Sequence, residues 1–177
     1  RARPGCRMGR SGPSAAAAAK LATLLEGFRR HGLPVFHVRH VSTRPGATFF
    51  LPETDGALLH ASVRPEPGEP VIVKHYPNSF RDTGLRERLG AAGVERLVIA
   101  GMMTHMCVDT SVRAAFDLGY ECLVAGDCCA TRALALNGAT VDADSVQLAY
   151  LAALNGTFAR VVTSSEALAL LVDSAAD

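Results

Sequence analysis

The sequence predicts one three-layer α/β/α domain built on a mostly parallel, Rossmann-like sheet. Three observations predict it. Short apolar, β-branched runs recur along the chain, stretches of helical periodicity separate them, and Gly, Pro or Asn stands where each element must stop. At 177 residues the chain has single-domain length, so residues 1–177 are read as one unit. Its 49% apolar and 20% charged residues are ordinary for a globular protein. Eighteen basic against 17 acidic residues leave a net charge of +1, which gives no electrostatic case for nucleic acid or an anionic membrane. No apolar run approaches the roughly 18 residues that span a bilayer. The opening "RARPGCRMGRSGP" lacks the apolar core of a signal peptide, and residues 1–13 are expected to be irregular. Five cysteines without framework spacing fit a reducing cytoplasm, the expected location.

In chain order, "SAAAAAKLATLLEGF" reads as a helix with Leu21, Leu24, Leu25 and Phe28 on one face, ended by "HGLP". "PVFHVR" (Pro34–Arg39) is a strand, and the proline-rich stretch from about Val41 to Pro70 is a long, functional-looking loop. "VIVK" (Val71–Lys74) is the next strand, and Leu85 and Leu89 mark a short helix stopped near Gly90–Gly93. "RLVIAG" (Arg96–Gly101) leads into a helix whose Val108, Ser111, Val112 and Ala115 share a face, closed by Gly119. "ECLVAG" (Glu121–Gly126) is a fourth strand. Val146, Ala149, Tyr150, Ala153 and Leu154 form the next helical face, stopped by Asn155–Gly156. "RVVTS" (Arg160–Ser164) is the last strand, and "SSEALALLV" the last helix, capped by Ser164 or Ser165. Continuously apolar strands are the mark of a parallel sheet covered on both faces.

Open parallel sheets bind ligands beyond the carboxyl ends of their strands. Those positions hold Arg39 and His40, Lys74 and His75, Met102 to Cys107, and Asp127 to Thr131. Cys107 falls in the first turn of its helix, where converging N–H groups and the helix dipole favour a thiolate. The same N–H groups suit the oxyanion formed when sulfur attacks a carbonyl. Lys74 could place an ammonium nearby. Spacing alone leaves a packed, inert thiol as an equal alternative.

"VIVKHYPNSF" followed by "LVIAGMMTHMCVDTSVRAAFDLGY" resembles the isochorismatase-like cysteine hydrolase superfamily. The resemblance implies that Cys107 is the nucleophile and Lys74 its companion. It also implies a cis peptide between Met102 and Met103 that helps shape the oxyanion hole. Because members that cleave isochorismate itself lack this thiol, its presence points to amide-type C–N hydrolysis through a thioester. His40, Phe50, Asn78, Phe80 and Thr104 are the expected substrate-facing residues. No cofactor is implied, the partner is a small-molecule substrate, and a homo-oligomer, dimer or larger, is expected.

The resemblance also implies an acid–base aspartate at the end of a first strand ahead of the first helix. "RARPGCRMGRSGP" holds four arginines, three glycines and no carboxylate, so that strand and its aspartate are missing from this sequence. Without it the facing edges of its neighbours would be orphaned. Three explanations compete: a start that omits or alters the strand, a natural non-hydrolytic binding or scaffold relative, or a substitute acid such as Glu53 or Asp55. The first is favoured because the rest of the motif is intact.

Some family members hold zinc or iron through an aspartate and histidines. His37 and His40 stand three apart on a strand and face opposite ways, so no metal is expected. Asp127 is read as a loop tie, Cys128–Cys129 as packed thiols, and Phe49 to Leu51 as a site wall or subunit contact. Gln147 occupies a helix position where that family often has histidine.

Overall fold

The structure is a computed structural model that describes residues 13–173. The stretch expected to be irregular lies outside these residues except for Pro13, which already opens helix α1 (Pro13–Arg30). Proline suits a first helical position because the N–H it lacks would have no partner there. Gly32, at φ 64°, ends the helix, with the Leu33 amide on the Phe28 carbonyl and the Gly32 amide on that of Arg29.

Strands β1 (His37–His40) and β2 (Val71–Lys74) pair in parallel, His37 opposite Val71 and His40 opposite Lys74. β1 starts later than Pro34 because its ladder opens only where the His37 amide reaches the Pro70 carbonyl. Helix α2 (Leu85–Ala91) buries Leu85 and Leu89. Strand β3 (Arg96–Met102), helix α3 (Asp109–Asp117) and strand β4 (Glu121–Ala130) follow. Strands β5 (Leu134–Leu136) and β6 (Ala139–Val141) form a hairpin turned by Asn137 and Gly138, both at positive φ. Helix α4 (Ala143–Leu154), strand β7 (Arg160–Val162) and helix α5 (Ser164–Asp173) complete the chain.

The second parallel sheet has the order β3-β4-β7. No ladder joins it to β1–β2 among the described residues. β2 takes an outer edge, with Val71 and Val73 exposed. Among the described residues β3 has a ladder neighbour on one side only and its residues after Arg96 are half-buried, whereas central β4 is almost wholly buried. Two contacts hold the pieces in one layered body. Phe36, Val38 and Ile72 of the first piece pack with Leu85, Leu89 and Leu97, and α1 covers the opposite face.

β4 runs four residues beyond the expected Gly126 because it bulges. Ile99 faces Val124, but Gly101 faces Cys129. The bulge also reverses the side-chain alternation. Leu123 and Ala125 pack under α1 and α5, while Cys122 and Val124 pack under α3 and α4. Past the bulge Cys128 joins the first group and Cys129 the second, so even and odd positions have exchanged faces.

Two helices differ from the periodicity reading. The inward positions of α4 are Val146, Gln147, Tyr150, Leu151 and Leu154, whereas Ala149 and Ala153 are exposed. α5 is capped by Thr163 rather than by a serine: the Glu166 amide donates to Thr163 Oγ1, and the Thr163 amide to Glu166 Oε2. Gly27 lets α1 approach α5, since a Cβ there would lie 2.2 Å from Leu168 Cδ2.

One polar cluster anchors the long loop. Glu69 accepts Arg29 Nε and Nη2 at 2.8 Å each, the Glu66 amide at 2.8 Å, and faces His37 Nε2 at 2.7 Å. This joins α1, β1 and the loop end, and the Arg29 guanidinium above all pulls the Glu69 carboxyl down to about 2. No described helix is long and apolar enough to cross a membrane.

Candidate active site

β3 ends at Met102, and the Met102–Met103 peptide bond is cis. The chain then makes one π-helical turn, Thr104–Val108, before α3. The Met103 carbonyl accepts the Met106 amide at 3.0 Å and, five residues on, the Val108 amide at 3.3 Å. Cys107 rides this turn, which is wider than the α-helical start expected, and is a free, half-buried thiol. By contrast Cys128 and Cys129 are enclosed, and burial pushes each thiol up to about 12.

Lys74 closes β2 with 3% of its surface exposed, and Nζ donates to the carbonyls of Tyr76 at 3.0 Å and Pro77 at 2.6 Å. The Pro77 carbonyl also accepts Ser111 Oγ at 3.3 Å. Ser111 accepts the Ser79 amide at 3.0 Å and shares a 2.8 Å hydrogen bond with Ser79 Oγ. Ser111 lies four residues after Cys107, one turn along the same segment. A single carbonyl thus joins the lysine strand to the helix that carries the cysteine.

His40 pairs with Lys74 across the ladder, and its ring stands 5.2 Å from that of Phe50. Phe50 is brought there by a fold-back of the loop, its carbonyl accepting the Ser42 amide at 2.7 Å. Burial first, then the charges of Lys74 and His75, lower the His40 pKa, which favours the neutral ring. His40 Nδ1 and Arg39 Nε are buried without hydrogen-bond partners among the described residues. His37 turns the other way, to Glu69, so the two histidines do not converge on a shared position. No described group of His, Cys, Asp and Glu side chains could hold a metal ion.

The remaining expected residues have other engagements. Asn78 Oδ1 accepts the Phe80 amide at 2.9 Å, and Phe80 stacks on Tyr120 against the core. Thr104 has no exposed surface, and its hydroxyl donates to Gln147 Oε1 at 2.6 Å. The sequence marks Ser79 as support for the pocket and Gln147 as a departure from the family's histidine, but it joins neither to a partner and gives no site role to Ser111 or His105. His105 Nδ1 bonds Thr131 Oγ1, its ring meets Tyr150 edge-on, and burial lowers its pKa. Ser111, a small polar residue inside an apolar stripe, and Gln147, on a largely apolar helix, carried a signal.

The carboxylates on the surrounding elements are committed elsewhere. Asp109 pairs with Arg113 at 3.0 Å. Asp127 binds Ser164 at the head of α5 and pairs with Lys20 of α1, the tie expected of it. Glu53 and Asp55 are exposed on the loop.

Residues 7–166 match the isochorismatase domain. The chain is 49% identical over 148 residues to the uncharacterized isochorismatase family protein YddQ of Bacillus subtilis, covering 84% of this chain and 82% of the relative. It is 28% identical over 141 residues to nicotinamidase 3 of Arabidopsis thaliana, 73% of this chain and 71% of that one. The crystal structure of an isochorismatase from Pseudomonas putida superposes with a TM-score of 0.82 at 34% identity, covering 89% of this chain and 82% of that chain.

Proposed function

This chain belongs to the isochorismatase family, and we propose that it hydrolyses a small amide or related C–N substrate through a Cys107 thioester. The observation that carries the reading is the Pro77 carbonyl, which ties buried Lys74 to the Cys107 segment. A nicotinamidase among the relatives supports amide chemistry.

In this reading the Cys107 thiolate attacks the substrate carbonyl carbon, and the C–O π pair becomes an oxyanion held by the Met103 and Cys107 amides. Lys74 stabilises the negative charge on sulfur and oxygen. The intermediate reforms its carbonyl as the C–N bond breaks, and the nitrogen leaves with the proton that the Cys107 thiol gave up on becoming the thiolate. Water then cleaves the thioester, releasing the acid and restoring the thiol. His40 and Phe50 wall the substrate, Asn78 and Phe80 shape the loop beneath it, and Thr104 acts through the turn.

Asp109 and Asp127 are both held by other partners, Arg113 and Ser164. That observation favours one second reading, a non-catalytic binding or scaffold protein with a reactive thiol. A panel of primary amides and N-carbamoyl compounds separates the two when the parent and Cys107→Ala are compared. The hydrolase reading expects turnover by the parent and a loss of at least about a thousandfold in the variant. Equal turnover by both would exclude Cys107 as nucleophile. Binding without turnover, surviving the substitution, would establish the second reading.

A further inference from the structure

We infer that Gln147 is a positioning residue for Cys107, an inference that rests on the thiol reading of the site. Gln147 is the polar member of α4's inward face, in place of an apolar residue that the helix could have presented there. Its carboxamide meets three groups from two elements. Nε2 donates to the Gly126 carbonyl at 3.3 Å and to the Cys129 carbonyl at 3.2 Å. Oε1 accepts the Thr104 hydroxyl at 2.6 Å.

The two carbonyls stand within and just beyond the segment where the β3–β4 register jumps, so Gln147 clasps the β4 bulge. After the bulge Gly101 pairs with Cys129 and Met102 with Ala130, which fixes where β3 ends. Thr104, with no exposed surface, is the first residue of the π-helical turn that carries Cys107 three positions later. One side chain therefore locks the end of the strand and the start of the turn to a common reference. A methionine of similar volume would fill the space and provide none of the three hydrogen bonds.

The test reads the thiol directly, by iodoacetamide alkylation followed by mass spectrometry of the Cys107 peptide, alongside amide turnover. Gln147→Met should remain folded by circular dichroism, yet alkylate Cys107 about tenfold more slowly and lose kcat rather than raise KM. Thr104→Val, which exchanges the hydroxyl for a methyl of similar size, should shift alkylation in the same direction, and the double variant should be no slower than Gln147→Met alone. Gln147→Glu separates positioning from bulk. Its carboxylate repels the two carbonyls, whereas the protonated acid donates to one, so its alkylation rate relative to the parent should recover as pH falls. A folded Gln147→Met with parental alkylation, or additive losses in the double variant, would overturn the inference. If Gln147→Met does not fold, parental alkylation in Thr104→Val overturns it alone. Slowed alkylation in a protein whose turnover survives Cys107→Ala would uphold the positioning and defeat the nucleophile reading instead.

Discussion

Removing the Ser111 hydroxyl tests the joint between the lysine loop and the cysteine helix. Ser79 and Ser111 are 8% and 6% exposed, so water does not replace what is lost. Ser111→Ala leaves the Ser79 amide buried without an acceptor, a cost of about 1–3 kcal/mol. The lost hydroxyl–hydroxyl bond adds about 1 kcal/mol. The Pro77 carbonyl keeps its Lys74 donor, so that end adds little. Together the substitution should cost about 3 kcal/mol in equilibrium urea unfolding at neutral pH. Ser79→Ala should cost only about 1 kcal/mol, because its amide still reaches Ser111. In the double variant the shared bond is lost once, so the two costs should fall short of additivity by about 1 kcal/mol. A loss below about 0.5 kcal/mol for Ser111→Ala, or strict additivity, would refute the joint.

Two further outcomes follow from packing and charge. Glu69 is ionised well below its unfolded value, so it adds stability above about pH 4.5 that is lost as pH falls toward 2. Glu69→Gln should lower stability by about 2–4 kcal/mol at pH 7, and the gap to the parent should close in urea titrations near pH 2–3. Gly27→Ala gains about 1 kcal/mol of helix propensity but drives a methyl into Leu168 across the α1–α5 contact. A net loss of about 1 kcal/mol, read as a lowered melting temperature, is expected, and a raised one would refute the tight crossing.

The strands and helices were legible because their signals are local: periodicity for α1, α2 and α3, and continuous apolar runs for β2, β3 and β7. Where one mostly parallel sheet was expected, the described residues form two parallel ladders, β1–β2 and β3-β4-β7, and the edges left unpaired are those beside the first strand that the family resemblance implies. What escaped depends on distant partners. The β4 bulge is a relation between two strands, invisible in "ECLVAGDCCA" itself. The inward turn of Gln147 is set by carbonyls that the bulge displaces, so an apolar stripe pointed the helix toward Ala149 and Ala153 instead. The hairpin is the exception, since "LNGA" holds a two-residue turn signature that could have been read. In the candidate site, Lys74 at a strand end and Cys107 just beyond one carried signals as residue types, whereas the Ser79–Ser111 joint required the fold.

Strand β1 presents His37 to the α1 side and His40 to the site side, with only two residues between them. It acts as an insulating wall between two proton equilibria. On one side, acid discharges the Glu69 anchor and loosens the scaffold. On the other, burial and the charges of Lys74 and His75 hold His40 toward its neutral form. The pH at which the fold weakens and the pH at which the site changes charge are therefore set by different neighbours. Selection, or an engineer, can move either one and leave the other in place.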